Sequence, residues 1–236
     1  MNKDAVSKYY DNYAEKQLSK VSNDRHRKIR EYAVRFGLKE SDHVLEIGCG
    51  IGAVTALLSE IIRQGHITAI DISPKSIEIA EERLKHFTNI EFLVGDVIEM
   101  NIGGRFDFII LPDVIEHIPL TEHPSLFRKL RTLIKDTGAI LINIPNPYYL
   151  EWCRMHRKDL LQLIDQPIYT NELAQNIYRH GLYIYYLETY SIWVLNNDYQ
   201  VIVLKPVIKE LEYPDIQYKL TLIQKMKFRL RKLWLP

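Results

Sequence analysis

Cysteine is scarce: Cys49 and Cys153 are the two in the chain. They are too few for a disulfide framework, and neither has a second cysteine at metal-ligand spacing, so a reducing, cytoplasmic setting fits. No apolar run approaches the roughly 18 residues that a membrane span requires. The opening Met1-Asn2-Lys3-Asp4 has no apolar stretch before Tyr9, which argues against a secretory signal of the usual form. A surplus of one charge sign is also missing, with 31 basic against 30 acidic residues. The balance is uneven along the chain. Six basic residues and no acidic one follow Asp215, so 25 basic face 30 acidic residues before that point. A mildly acidic body argues against a nucleic-acid-wrapping surface, and no nucleic-acid partner is expected. Repeats, low-complexity tracts and Gly/Ser linkers are absent. The 236 residues therefore read as one α/β domain: a helical lid over 1–40, a core over 41–205 with an insertion at 146–170, and a tail over 206–236.

What is present is an alternation of two periodicities. Helical spacing at Asp4–Lys16 and Asn23–Phe36 predicts an N-terminal cap. Strands are expected at His43–Ile47, His66–Ile70, Ile90–Val94, Phe106–Leu111 and Ala139–Ile144. Helices fall between them at Ala53–Ile62, Pro74–His86 and Pro124–Ile134. Ser73 before Pro74 is an N-cap signal. Such alternation requires a mostly parallel sheet with helices on both faces. A helix near Thr170–His180 then leads into two β-rich runs, Leu182–Trp193 and Tyr199–Leu204. Asn196-Asn197-Asp198 separates them, which predicts a closing hairpin and an antiparallel last strand.

The most informative stretch is Val44-Leu45-Glu46-Ile47-Gly48-Cys49-Gly50-Ile51-Gly52-Ala53, a buried strand running into a glycine turn and a helix. Glycine permits positive φ and close approach of a ligand to the backbone. The second strand ends in Asp71, where a carboxylate can accept both hydroxyl protons of a ribose. Adenosine-bearing cofactors of several kinds use this geometry, and Gly48-x-Gly50-x-x-Ala53 also satisfies the loose dinucleotide fingerprint. Glu46 disfavours the dinucleotide, since a carboxylate beside the glycines repels a pyrophosphate and suits a cation. The third strand is followed by Gly95-Asp96-Val97, a carboxylate and an apolar residue fit for an adenine.

With these motifs in place, the chain resembles the class I S-adenosylmethionine-dependent methyltransferase family from about Val44 to Leu204, particularly ubiquinone-pathway and sugar-modifying members. The resemblance implies a Rossmann-like, seven-stranded, mostly parallel sheet with an antiparallel last strand. It implies S-adenosylmethionine as cofactor and S-adenosylhomocysteine as product. By the same resemblance Glu46, Gly48 and Gly50 would line the methionine part, Asp71 the ribose, and Asp96 and Val97 the adenine, with Cys49, Gly52 and Ile72 also among the cofactor-binding residues. Leu111 would offer backbone to the amino group.

Methyl transfer from a sulfonium is an in-line displacement, for which a protein supplies alignment and a proton acceptor. Asp113-Val114-Ile115-Glu116-His117-Ile118-Pro119 follows the fourth strand at the carboxyl edge where ligands collect. His117 is the candidate general base, since histidine titrates near neutrality. A second reading makes Asp113, Glu116 and His117 ligands of a divalent cation such as magnesium, with His123 in reserve. A third leaves Glu116 and His117 as structural capping residues.

Asn146, Tyr148, Trp152, His156 and Tyr169 of the insertion, together with Tyr13 of the lid, are candidates for an acceptor pocket. Aromatic faces and polar edges of this kind suit a sugar or ring. Tyr9, Tyr10 and the Arg25-His26-Arg27 run are candidates for the same cleft. The expected reaction is O-methylation of a saccharide, glycolipid precursor or phenol. The alternatives are N-methylation of an amino sugar and a catalytically silent cofactor-binding subunit; a nicotinamide dehydrogenase is disfavoured by Glu46. Residues 216–234 have the spacing of a cationic amphipathic helix, suited to peripheral contact with the inner membrane face or to docking on the domain or a homodimer mate.

Overall fold

Short apolar runs rich in β-branched residues, alternating with amphipathic stretches, bury their apolar faces by layering helices on both sides of one sheet. A computed structural model of the chain describes residues 3–18 and 23–208. Among the described residues seven strands form one sheet: β1 (His43–Ile47), β2 (His66–Asp71), β3 (Ile90–Val94), β4 (Phe106–Pro112), β5 (Ile134–Pro145), β6 (Leu182–Tyr190) and β7 (Tyr199–Pro206). Their spatial order is β3-β2-β1-β4-β5-β7-β6. β1 to β5 pair in parallel, and β7 lies antiparallel to both β5 and β6. The helices are α1 (Lys3–Gln17), α2 (Asp24–Arg35), α3 (Ala53–Ser59), α4 (Pro74–Leu84), α5 (His123–Leu133), α6 (Pro147–His156) and α7 (Thr170–Arg179).

Side chains that alternate along a strand feed two separate cores. Leu45, Ile109 and Ile142 face α5 and α7, meeting Phe127, Leu130 and Ile177. Val44, Phe108 and Leu141 face the opposite way, toward Ile29 of α2 and Leu58 of α3. The N-terminal cap is pinned by polar contacts at the edge of the sheet. Asp11 Oδ1 accepts from Ser73 Oγ at 2.6 Å and from Lys75 N at 3.1 Å, placing a carboxylate at the start of α4, where the helix dipole favours it. Ser73 also caps α4 by accepting from Ser76 N, as the Ser-Pro signal predicts.

The boundaries depart furthest from expectation in three places. α3 stops at Ser59, short of Ile62. β5 begins at Ile134 rather than Ala139, because the end of α5 passes directly into it. β6 stops at Tyr190 because Asp198 folds back and accepts from Ile192 N and Trp193 N at 2.7 and 2.9 Å, taking both out of the ladder. The expected amphipathic helix over 216–234 lies outside the described residues. Among the described residues no helix is long and apolar enough to cross a membrane.

Phe127 is fully buried at the centre of the α5 core. Phe127→Ala should therefore lower unfolding free energy by about 3–5 kcal/mol, read as a shift of the urea midpoint at unchanged m-value.

Candidate active site

The sheet order reverses between β1 and β4, and the loops leaving those strands diverge to open a crevice, as is general for open α/β sheets. The turn after β1 is tied to β2 by Gly48 N and Cys49 N, which both donate to Ile70 O at 2.7 and 3.0 Å. Gly48 has φ +74°, and a Cβ there would fall 2.4 Å from Val114 Cγ2. Glycine is thus required on both conformational and steric grounds. Asp71 organises the next step: Oδ2 accepts from Gly50 N at 2.8 Å and Oδ1 from Ser73 N at 2.9 Å.

The crevice encloses about 430 Å³, within the range of small-molecule sites. Of the residues expected to contact a cofactor, Glu46, Gly48, Cys49, Gly50, Asp71, Ile72, Asp96 and Val97 line it. Gly52 and Leu111 stand elsewhere. A Cβ on Gly52 would fall 2.9 Å from Leu84 Cδ1, so that glycine serves the packing of α3 on α4. Leu111 points into the α5 core, and Pro112 reaches the crevice in its place. The lid contributes Tyr10, Tyr13 and Gln17 of α1, and Arg25 and His26 of α2. Arg27, third of the basic run, pairs with Asp24 on the exposed side of α2.

Electrostatics distinguish this crevice from an ordinary cleft. Glu46 is fully buried with Thr55 of α3 beside it and no cation paired with it among the described residues, and burial pushes its carboxyl up to about 8. A buried carboxylate with no cationic partner lowers its cost by receiving a cation. A ligand carrying an ammonium and a sulfonium fits that requirement, and Gly48 and Gly50 leave the backbone open beside it. Asp113, in the left-handed region at φ +53°, lies 3.1 Å from Arg25 Nη1. Arg25 also donates to Tyr199 Oη at 3.2 Å. His26 is pushed down to about 4 by burial and by Arg25 and Arg27, and its ring nitrogens face the donors Asn23 N and Arg25 Nη2.

His117 also reaches the crevice, whereas Glu116 is buried behind the wall with both oxygens unpartnered among the described residues. Burial disfavours the charged His117 ring. Glu116 and Asp165 outweigh it, and the ring is lifted to about 9. Its Nδ1 lies 3.1 Å from Asp165 Oδ1 and also hydrogen-bonds Ile164 O.

This arrangement does not fit the expected divalent cation. Nδ1 is occupied, Asp113 is paired with Arg25, burial raises the Glu116 carboxyl, and His123 Nε2 contacts the carbonyls of Ile115 and Ile118. Among the described residues no group of three or more His, Cys, Asp or Glu side chains is arranged to hold a metal ion.

Of the acceptor-pocket candidates, Tyr13 stands on the crevice wall and the insertion residues first singled out stand away from it. Asn146 caps α6, accepting from Tyr148 N at 3.0 Å. Tyr148 is 72% exposed and packs edge-on against Tyr169, whose hydroxyl bonds Glu151. Trp152 stacks with Tyr149 and contacts His156 on the outer face. The insertion instead reaches the crevice through Gln162 and Ile164. Neither they nor Asp165 carries a spacing signal that links them to His117.

A family model described as a methyltransferase domain matches residues 38–181. The malonyl-[acyl-carrier protein] O-methyltransferase of Priestia megaterium is 30% identical over 160 residues, covering 66% of this chain and 56% of its own. Phosphoethanolamine N-methyltransferase 1 of Arabidopsis thaliana is 30% identical over 140 residues, covering 56% of this chain and 28% of its own. The chain thus spans about half or less of the length of these curated relatives. Among solved structures, the magnesium protoporphyrin IX methyltransferase of Synechocystis, with bound S-adenosylhomocysteine, aligns with a TM-score of 0.67 at 17% identity, over 86% of this chain and 98% of its own. The matched domain covers more than half of the chain and takes in strands β1 to β5, the parallel part of the sheet, so the chain belongs to the class I S-adenosylmethionine-dependent methyltransferase family.

Proposed function

We propose that this chain is an enzyme that transfers the methyl group of S-adenosylmethionine to a hydroxyl of a small polar acceptor, a saccharide, glycolipid precursor or phenol. The observation that carries the cofactor half is Glu46, a buried carboxylate with no cation paired with it among the described residues, in the wall of a glycine-lined crevice. When bound, the cofactor supplies an electrophilic methyl group. The chain's own contribution is to bind, to align and to take a proton. Glu46 holds the cationic amino-acid end, Asp71 faces the ribose, and Asp96 with Val97 flanks the adenine. Tyr10, Tyr13 and Gln17 cover the crevice and exclude water. His117 takes the acceptor's hydroxyl proton, which is the feature that favours a hydroxyl over an acceptor already anionic. N-methylation of an amino sugar is the second reading, favoured by the N-methyltransferases among the relatives.

Calorimetry with S-adenosylhomocysteine and NAD in parallel tests the cofactor half, and a preference for NAD overturns it. The Glu46 carboxyl titrates near 8 in the free protein, and a bound cation favours its ionised form. S-adenosylhomocysteine carries the ammonium, so its binding at pH 7 should release a proton, and affinity should rise with pH until about 8. Glu46→Gln should abolish the proton release and weaken binding by about tenfold to a hundredfold. Calorimetric titrations in buffers of different ionisation enthalpy give both, the proton release from the binding enthalpies and the affinity from the isotherms.

His117 must lose its proton before it can act as a base, and at pH 7 a ring titrating near 9 is neutral in about one molecule in a hundred. The methyl-transfer kcat should therefore climb about tenfold per pH unit below 9 and level off above it. His117→Ala should lower kcat by about 10²–10⁴-fold and remove the slope. A pH-independent rate in the wild type would point to an acceptor that arrives already ionised. A wild type that binds cofactor but turns over no acceptor would point to a silent subunit.

A further inference from the structure

After α6 the chain turns through Lys158–Leu160 and comes back to the sheet edge as a strap that lies against the turn following β4. Hydrogen bonds set its path. Gln166 donates from N and from Nε2 to Glu116 O, at 3.1 and 3.3 Å, and from Nε2 to Ile118 O at 2.9 Å. Within this stitched segment, Asp165 Oδ1 and Ile164 O both meet His117 Nδ1. The second oxygen of Asp165 accepts from Gln162 N at 2.6 Å, so the carboxylate is itself held from two sides. Two acceptors on one ring nitrogen require that nitrogen to carry hydrogen. The neutral ring is then the Nδ1–H tautomer, with Nε2 free to accept a proton. Nε2 has no hydrogen-bond partner among the described residues, and Glu116 Oε1 stands 3.8 Å away.

We propose that Asp165 is the positioning residue of the His117 base: from the strap it holds Nδ1–H and thereby reserves Nε2 for the acceptor's hydroxyl proton. This deepens the hydroxyl-transfer reading and rests on it. As the acceptor oxygen bonds to the methyl carbon, the carbon–sulfur bond breaks and its electron pair stays on sulfur, leaving a neutral thioether. The hydroxyl proton moves to Nε2, and the resulting imidazolium is stabilised by the Asp165 carboxylate. The groups around the ring are Glu116 and Asp113 from its own turn, Asp165 from the strap, and Tyr10 from α1 with ring centroids 6.2 Å apart. Arg25 of α2 lies beyond, paired with Asp113. The carboxylate contributed by the strap is the nearest to the ring, 3.1 Å from Nδ1 against 3.8 Å between Glu116 and Nε2.

The test uses the full chain with ¹⁵N-labelled histidine, as wild type, Asp165→Asn and Asp165→Glu. In the wild type the His117 ring should titrate near 9 and be Nδ1-protonated when neutral. In Asp165→Asn the titration should fall by about one to two pH units, and the neutral ring should become a mixture of tautomers. The same substitution should cost at least about tenfold in kcat and shift the rate profile to lower pH, with KM and S-adenosylhomocysteine affinity little changed. Asp165→Glu should recover part of the titration and part of kcat. A titration and tautomer identical in Asp165→Asn and wild type would overturn the proposal, as would equal kcat losses in the two variants. The ring titration needs no turnover. A chain inactive with every acceptor would count against hydroxyl transfer and still leave the ring measurement to decide the role of Asp165.

Discussion

The constraint on which the rest of the structure depends is the burial of carboxylates along the carboxyl edge of the sheet. Glu46 and Glu116 are buried there and Asp71 and Asp113 half-buried, and an unpaired buried charge costs several kcal/mol. Each is accommodated differently. Asp71 accepts two backbone N–H groups, Asp113 meets Arg25, and burial drives Glu46 and Glu116 toward their neutral forms. Elsewhere the sheet is packed with Leu, Ile, Val and Phe on both faces. Strand order opens the crevice at this edge, and the carboxylates gathered there make it the edge that a cationic ligand would stabilise most.

Two segments distant in sequence enclose that edge. The α1 lid is fixed at the β2 side by Asp11 and Ser7, the latter donating to Ile72 O at 3.0 Å. The strap is fixed at the β4 side through Gln166 and Asp165. In the proposed mechanism this divides the crevice, with cofactor recognition on the strands β1 to β3 and proton transfer under the strap. Rigid hydrogen-bonded anchoring suits a displacement whose rate depends on alignment.

Much of this was legible along the chain because it is local. Short apolar runs marked every strand, and Ser73-Pro74 marked the start of α4. The glycine turn with Asp71 and Gly95-Asp96 marked the β1-to-β3 side of the crevice, since each lies where a strand terminates. The strap side was not legible. Tyr148, Trp152 and His156 have the composition of a binding surface, yet the helix that carries them turns them outward. Helical spacing gives the relative directions of side chains on α6 and says nothing about which direction faces the cleft. The cation expectation failed for a similar reason: Asp113, Glu116 and His117 are close in sequence, but Arg25 and Asp165, brought in from α2 and the strap, had already engaged two of them.

The sequence by itself determined the strand-helix alternation, the glycine turn and the acidic residues at the strand ends, because backbone preference and burial periodicity act over a few neighbouring residues. Tertiary structure alone decided which titratable groups meet. Protonation depends on burial and on charges a few ångströms away, and those charges come from segments whose separation along the chain carries no information about their distance in space.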